Sequence, residues 1–177
     1  MRRIPRLGFL NLALVSLYFA PIWAREALRI LLLPYRAFED RSHAVVAIWL
    51  REVFDLTLEG LMRISGALAG LKLVIAAGLL AYLIELARAV AVGREPDPVT
   101  SHGALALAAI GVGIWSVPPL LLADPTLIRL SATQVMLVAG AVAVVTVEGH
   151  IEDAKTRNPV PAVPPMLEAA GLETQAA

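Results

Sequence analysis

Residues Ile64 to Ile84 read ISGALAGLKLVIAAGLLAYLI, and this stretch decides the fold. Ten of its 21 residues are Leu, Ile or Val, and its single charge is Lys72. As a helix it would be about 31 Å long at 1.5 Å per residue, which matches the hydrocarbon core of a bilayer. Large aliphatic side chains favour insertion by roughly 0.5 kcal/mol each, about 5 kcal/mol in all, against about 3 kcal/mol for a central lysine. Insertion therefore wins, the more easily because Lys72 lies off-centre and can snorkel.

Toward the C-terminus, Glu85 and Arg88 form an i,i+3 pair that closes this span at about residues 64–87. The segment GREPDPVTS, residues 93–101, holds two prolines and three charges and reads as a loop. Residues 103–123 then give 21 uncharged positions, with Pro118 and Pro119 expected to kink or end the helix. Asp124-Pro125 is a helix-start signal, with Asp as the cap and Pro at the first position. Residues 130–147 form another uncharged run of 18, and the short connection makes these two spans an antiparallel hairpin. The last twenty residues, 158–177, carry four prolines among small and polar residues and read as a disordered tail.

Toward the N-terminus, residues 44–63 read as one amphipathic helix. Arg51, Glu52, Asp55, Glu59 and Arg63 fall within an arc of about 120°. Arg51 with Asp55, and Glu59 with Arg63, are spaced as i,i+4 pairs. The expected buried face is Trp49, Val53 and Leu61, resting on the membrane interface or on a partner. Residues 7–24 are a further 18 uncharged positions after a start with three arginines. Ile22 and Trp23 make a poor cleavage end, so an uncleaved membrane helix is preferred over a secretory signal. Leu28 to Leu33 can extend it until Pro34 stops it.

The fold expected is thus all-α: a polytopic bundle of four hydrophobic helices, at about 7–24, 64–87, 103–123 and 130–147, plus an interfacial amphipathic helix within a membrane domain of residues 1–157. A three-span alternative leaves residues 7–24 at the surface. Basic residues do not choose between them cleanly. Four spans put seven on each face, whereas three spans give ten against four.

Composition agrees and narrows the function. Hydrophobic residues make up 58% of the 177 positions and mean hydropathy is +0.73, above the range of water-soluble domains. With 15 basic and 15 acidic residues there is no basic excess to bind nucleic acid. The absence of cysteine excludes disulfides, thiolate metal sites and cysteine nucleophiles. Thirteen arginines against two lysines, in an Ala- and Leu-rich chain, hint at a GC-rich bacterial genome and hence an inner membrane.

Few residues point to chemistry. Lys72, Glu85 and Arg88 are ionisable groups in or beside the second span, and intramembrane charge is costly enough to mark function. Lys72 and Glu85 lie thirteen residues apart, too far to pair along one helix. Snorkelling or one interhelical hydrogen bond accounts for Lys72 without a transport pathway. Gly66 and Gly70 form a GxxxG pair, a candidate for close helix packing. His102, Glu148, His150 and Glu152 could meet at one membrane face, and imidazole with carboxylate suits zinc, iron or manganese. The spacing is only partly right, since His150 points away from Glu148 and Glu152 on a helix. The expectation is no metal, no other cofactor and no catalytic residue. The partners expected are the lipid bilayer and other membrane subunits or further copies of the chain. The role expected is an accessory, assembly or structural subunit, with an oligomeric transporter or channel as the alternative and a metal-dependent membrane enzyme as the second.

Overall fold

The computed structural model describes residues 7–123 and 125–157, giving only the backbone for Tyr35 and residues 152–157. The N-terminal arginines, the Asp124 cap and the Pro-rich tail lie outside the described residues. Five α-helices and no strand are found among those described: α1 Leu7–Leu32, α2 Arg41–Val53, α3 Leu58–Val92, α4 Pro98–Leu121 and α5 Pro125–Arg157, with a 3₁₀ turn at Pro34–Arg36. Four of them, α1, α3, α4 and the α5 segment Pro125–Ile151, are long and apolar enough to cross a membrane. The chain is a multi-pass helical membrane protein. It divides into two compact units at Val145, inside α5, and the bundle described below is the first.

α1 and α3 lie side by side and antiparallel. Leu12, Val15, Phe19, Trp23, Ala27 and Ile30 are buried on α1 at spacings of three and four. Leu12, Val15, Phe19 and Trp23 share one core cluster with Leu68, Ile75, Leu79, Tyr82 and Leu86 of α3, and Ile30 clusters with Ala69 of the same helix. The Tyr82 hydroxyl donates to the Phe9 carbonyl at 2.9 Å, tying the C-terminal half of α3 to the start of α1. A helix merely resting on the surface would not run alongside a span in this way, so residues 7–24 belong inside the bundle. The helix continues through Pro21 to Leu32 and stops where Leu33 leaves helical geometry, at φ −133° and ψ 74°, before Pro34.

The amphipathic stretch is not one helix. α2 ends at Val53, Asp55 adopts a left-handed φ of 46°, and α3 starts afresh with Thr57 as its cap. The Thr57 hydroxyl accepts from the Gly60 N–H at 3.2 Å, satisfying one of the donors a helix start leaves free. Residues 58–63 are therefore the first turns of α3. Arg51 donates to the Leu56 carbonyl at 3.1 Å, bracing the turn, in place of pairing with Asp55. Arg63 and Glu59 do pair, at 2.6 Å. The buried face of α2 is His43, Val46 and Ala47. Trp49 is half-buried and Val53 is 56% exposed, so the expected contact face was rotated, while Leu61 is buried as expected.

Helix packing is closest at two glycines. A Cβ on Gly111 of α4 would overlap the Trp23 ring of α1, and one on Gly78 of α3 would overlap Leu107. Gly66 and Gly70 face open space. Pro118 and Pro119 are both buried inside the last turn of α4, which carries on to Leu121. α5 offers one narrow buried stripe to this unit, Leu127, Ser131, Val138 and Ala141. Its hydrophobic window is 17% buried, against 39–44% for the other three. The remainder, including Leu130, Met136 and Val142, presents an apolar surface of the kind that lipid solvates.

Candidate functional site

All five helices contribute to one small cavity of about 40 Å³ near the end of the bundle where α1 leaves its apolar run. Its wall includes Glu26 of α1, Ser42 of α2, Lys72 of α3, Trp115 of α4, and Ser131 and Gln134 of α5. Such a volume suits a few water molecules at about 15 Å³ apiece.

Lys72 is the centre of the cluster. It is 1% exposed, so its ammonium does not snorkel to solvent. The ammonium donates to Glu26 Oε2 at 2.8 Å and, more weakly, to Asp40 Oδ2 at 3.4 Å. It also lies 5.0 Å from the centroid of the Trp115 ring, within cation–π range. One chain of aromatic contacts extends inward from there, with Trp115 6.1 Å from Trp23 and Trp23 4.7 Å from Phe19. The Trp115 Nε1 is buried and has no hydrogen-bond partner among the described residues.

The partners of Lys72 are placed by local folding. Asp40 caps α2: its Oδ1 accepts from the Ser42 N–H at 3.0 Å, the His43 N–H at 3.4 Å and the Ser42 hydroxyl at 2.8 Å. Capping uses Oδ1 and leaves Oδ2 for Lys72. Burial pushes the Asp40 carboxyl upward, but the Lys72 ammonium and the hydrogen bonds from Ser42, His43 and Lys72 outweigh it and hold it below its usual value. Glu26 follows from the continuation of α1 past Ala24, which carries it to the level of Lys72 on the antiparallel α3.

His43 is fully buried next to this cluster, and its Nε2 shares a hydrogen bond of 2.9 Å with Ser65 Oγ. Burial, with the nearby Lys72 charge, lowers its pKa to about 4, so it is neutral at physiological pH.

Outside the cavity, an open cleft of about 420 Å³ is lined by Pro21, Ile22, Arg25, Glu26, Arg29 and Asp40. Glu26 stands in the wall of both spaces. Arg29 pairs with Glu39.

The remaining sequence candidates separate. Glu85 pairs with Arg94 beyond the end of α3, not with Arg88. Gly66 borders a shallow depression together with Ser65, Arg63 and Ile30, and neither it nor Gly70 meets another helix of the chain closely. His102 Nδ1 lies 2.6 Å from the Pro98 carbonyl of its own helix, and His150 Nδ1 lies 2.9 Å from the Thr146 carbonyl of its own. Glu148 and His150 belong to the second unit, and the Glu152 side chain is outside the described residues. No group of three metal-ligating side chains is found among the described residues.

Glu26, Asp40, His43 and Trp115 were not singled out in the sequence. A signal existed for two of them. Asp40-Arg41-Ser42 before an apolar periodic run is a cap signature, and Glu26 lies inside a helix that Leu28–Leu33 extend. His43 and Trp115 had none, since a lone His or Trp in an apolar stretch is ordinarily packing.

The chain matches no protein-family model, no curated protein and no solved structure.

Proposed function

We propose that the protein is an accessory or assembly subunit of a larger complex in a bacterial inner membrane. The observation that carries this reading is the confinement of charge. Lys72, Glu26 and Asp40 are gathered in one ion-pair cluster at one end of the bundle. Beyond them the interior of the described bundle is mostly apolar: Leu12, Val15, Phe19, Ile75 and Leu79 are all at most 2% exposed, and polar side chains buried among the helices, such as Ser16, Ser65 and Ser116, are small and uncharged. Among the described residues such a core offers few groups to replace the hydration of an ion. α5, with most of its apolar face uncovered by the other described residues, leaves room for neighbours in the membrane.

The test is purification of the full chain from its native membrane in mild detergent, followed by protein identification. Recovery at stoichiometric yield with defined membrane subunits is the expected result. Recovery of the chain alone, with ion flux when it is reconstituted by itself, would overturn it.

The transporter or channel reading keeps one supporting observation, the position of Glu26 between the outer cleft and the inner cavity. On that reading Lys72→Met abolishes flux in vesicles.

A further inference from the structure

We infer that the cleft beside Glu26 binds the headgroup of a zwitterionic phospholipid carrying a primary ammonium, a phosphoethanolamine lipid. The uncharged run of α1, residues 7–24, is about 27 Å long as a helix, close to the hydrocarbon thickness of a bilayer. Arg25 is the first charge after it, so the cleft sits at the level where lipid phosphates and amines lie.

Its walls supply both halves of a zwitterion. Arg25 is exposed and has no hydrogen-bond or ion-pair partner among the described residues. Arg29 pairs with Glu39, but a guanidinium has five donors and keeps some free. Two guanidiniums at i,i+4 on one helix face are placed to hold one phosphate. On the acidic side, Glu26 accepts from Lys72 through Oε2 while its side chain stays 35% exposed and lines the cleft. Asp40 is 25% exposed beside it. Two carboxylates share the single ammonium of Lys72, so this side carries one uncompensated negative charge. A lipid ammonium, with three donors, would balance that charge.

The four charges lining the cleft are two positive and two negative, which suits a headgroup of zero net charge better than an anionic one. Pro21 and Ile22 form the membrane-side wall, where the glycerol and first methylenes would lie. Phosphocholine carries the same phosphate, but its quaternary nitrogen has no N–H to give Glu26. The contacts thus rank ethanolamine above choline and above glycerol headgroups.

The experiment uses the full chain purified in mild detergent and stripped of lipid by extended washing. Its melting temperature is followed while phosphatidylethanolamine, phosphatidylcholine or phosphatidylglycerol of one acyl composition is added, and separately with soluble phosphoethanolamine. Phosphatidylethanolamine should raise the melting temperature by several degrees at a concentration where the other two lipids do little. Arg25→Gln, at an exposed position outside the core, should keep the fold and weaken the response about tenfold. Glu26→Gln should erase the preference for ethanolamine over choline; should that variant not fold, the lipid ranking and Arg25→Gln decide alone. Equal stabilisation by all three lipids, a stronger effect of phosphatidylglycerol, or an unchanged response in Arg25→Gln would overturn the assignment. So would an equal response to soluble phosphoethanolamine, which would place the ligand outside the bilayer.

Discussion

Removing the charge of Lys72 and removing that of Glu26 are not equivalent, because only one of the two side chains reaches solvent. Lys72 is 1% exposed, whereas Glu26 is 35% exposed. Without Lys72 the carboxylates can still be hydrated, but without the Glu26 charge a buried ammonium is left with a neutral amide oxygen, the longer ion contact to Asp40 and the Trp115 face. Lys72→Met should therefore cost about 1 kcal/mol, and Glu26→Gln about 3 kcal/mol, near the lower end for breaking a buried pair. The double variant should melt close to Lys72→Met and above Glu26→Gln. A double variant that melts below both single ones in detergent would show that the pair does not act as described. His43 adds a pH dependence. Its pKa is lowered in the fold from the ordinary 6.5 to about 4. The stability this neutral, buried ring contributes is complete above about 6.5 and is lost as pH falls toward 4, up to about 3 kcal/mol. Asp40, lowered from 3.8, adds its own loss only at still lower pH. The melting temperature should decline between pH 6.5 and 4, and His43→Gln should flatten that decline. Parallel curves for the two proteins would remove His43 from the explanation. Lys72 was legible in the sequence as a costly charge, but its partners were not. They lie 46 and 32 residues away, and pairing across such distances depends on how antiparallel helices align.

At the level of elements, the glycines that matter are those a neighbouring helix touches. Gly111→Ala would drive a methyl group into the Trp23 ring and toward Ile75 Cδ1, which is 3.3 Å from the added Cβ. Trp23 is held between Phe19 and Trp115 and has little freedom to move aside. Overpacking of this kind costs about 1–3 kcal/mol. Gly70→Ala meets nothing within 4 Å among the described residues and replaces glycine within a helix, so it should be neutral or slightly stabilising. Melting curves of the two variants should separate in that order. A larger loss for Gly70→Ala would mean that the GxxxG face is covered by a second copy or another protein. The spacing of glycines shows where backbones can approach, not where they do. The break at 54–57 was hidden for a related reason. Its polar stripe keeps helical phase across the turn, so periodicity alone joins α2 to α3. The local signals, Thr57 as a cap and Asp55 as a residue that tolerates positive φ, are weak unless the turn is already known. The four long apolar helices, by contrast, were plain from length and hydropathy, because the bilayer sets a threshold that few core helices reach.

Across the whole molecule, the choice between three and four spans rests on α1, and basic-residue counting leaves it balanced at seven against seven for the four-span case. Packing breaks the tie in favour of four. The buried stripe of α1 runs from Leu12 to Ile30, and its two ends are tied to different levels of α3, Phe9 to Tyr82 and Glu26 to Lys72. An interfacial helix lies across a span and touches it at one level, so contact at both levels means that α1 runs alongside α3 and crosses with it. Four crossings then put the start of α1 and the α3–α4 loop on one side, and the α2–α3 turn on the other. Exposed positions suit the test: Leu7 is 73%, Val99 76% and Phe54 63% exposed. Because the chain has no native cysteine, single cysteines at these sites can be labelled in intact cells without background. Cysteines at Leu7 and Val99 should react alike with an impermeant thiol reagent, and a cysteine at Phe54 should react oppositely. Three spans would instead move Leu7 to the side of Phe54, because only α3 would then separate Phe54 from Val99 and nothing would separate Leu7 from Phe54. That outcome would also take Glu26 out of the membrane and leave Lys72 without its nearer carboxylate. An uncompensated lysine in a span this apolar would cost several kcal/mol more to bury, so the labelling pattern and the ion-pair cluster stand or fall together.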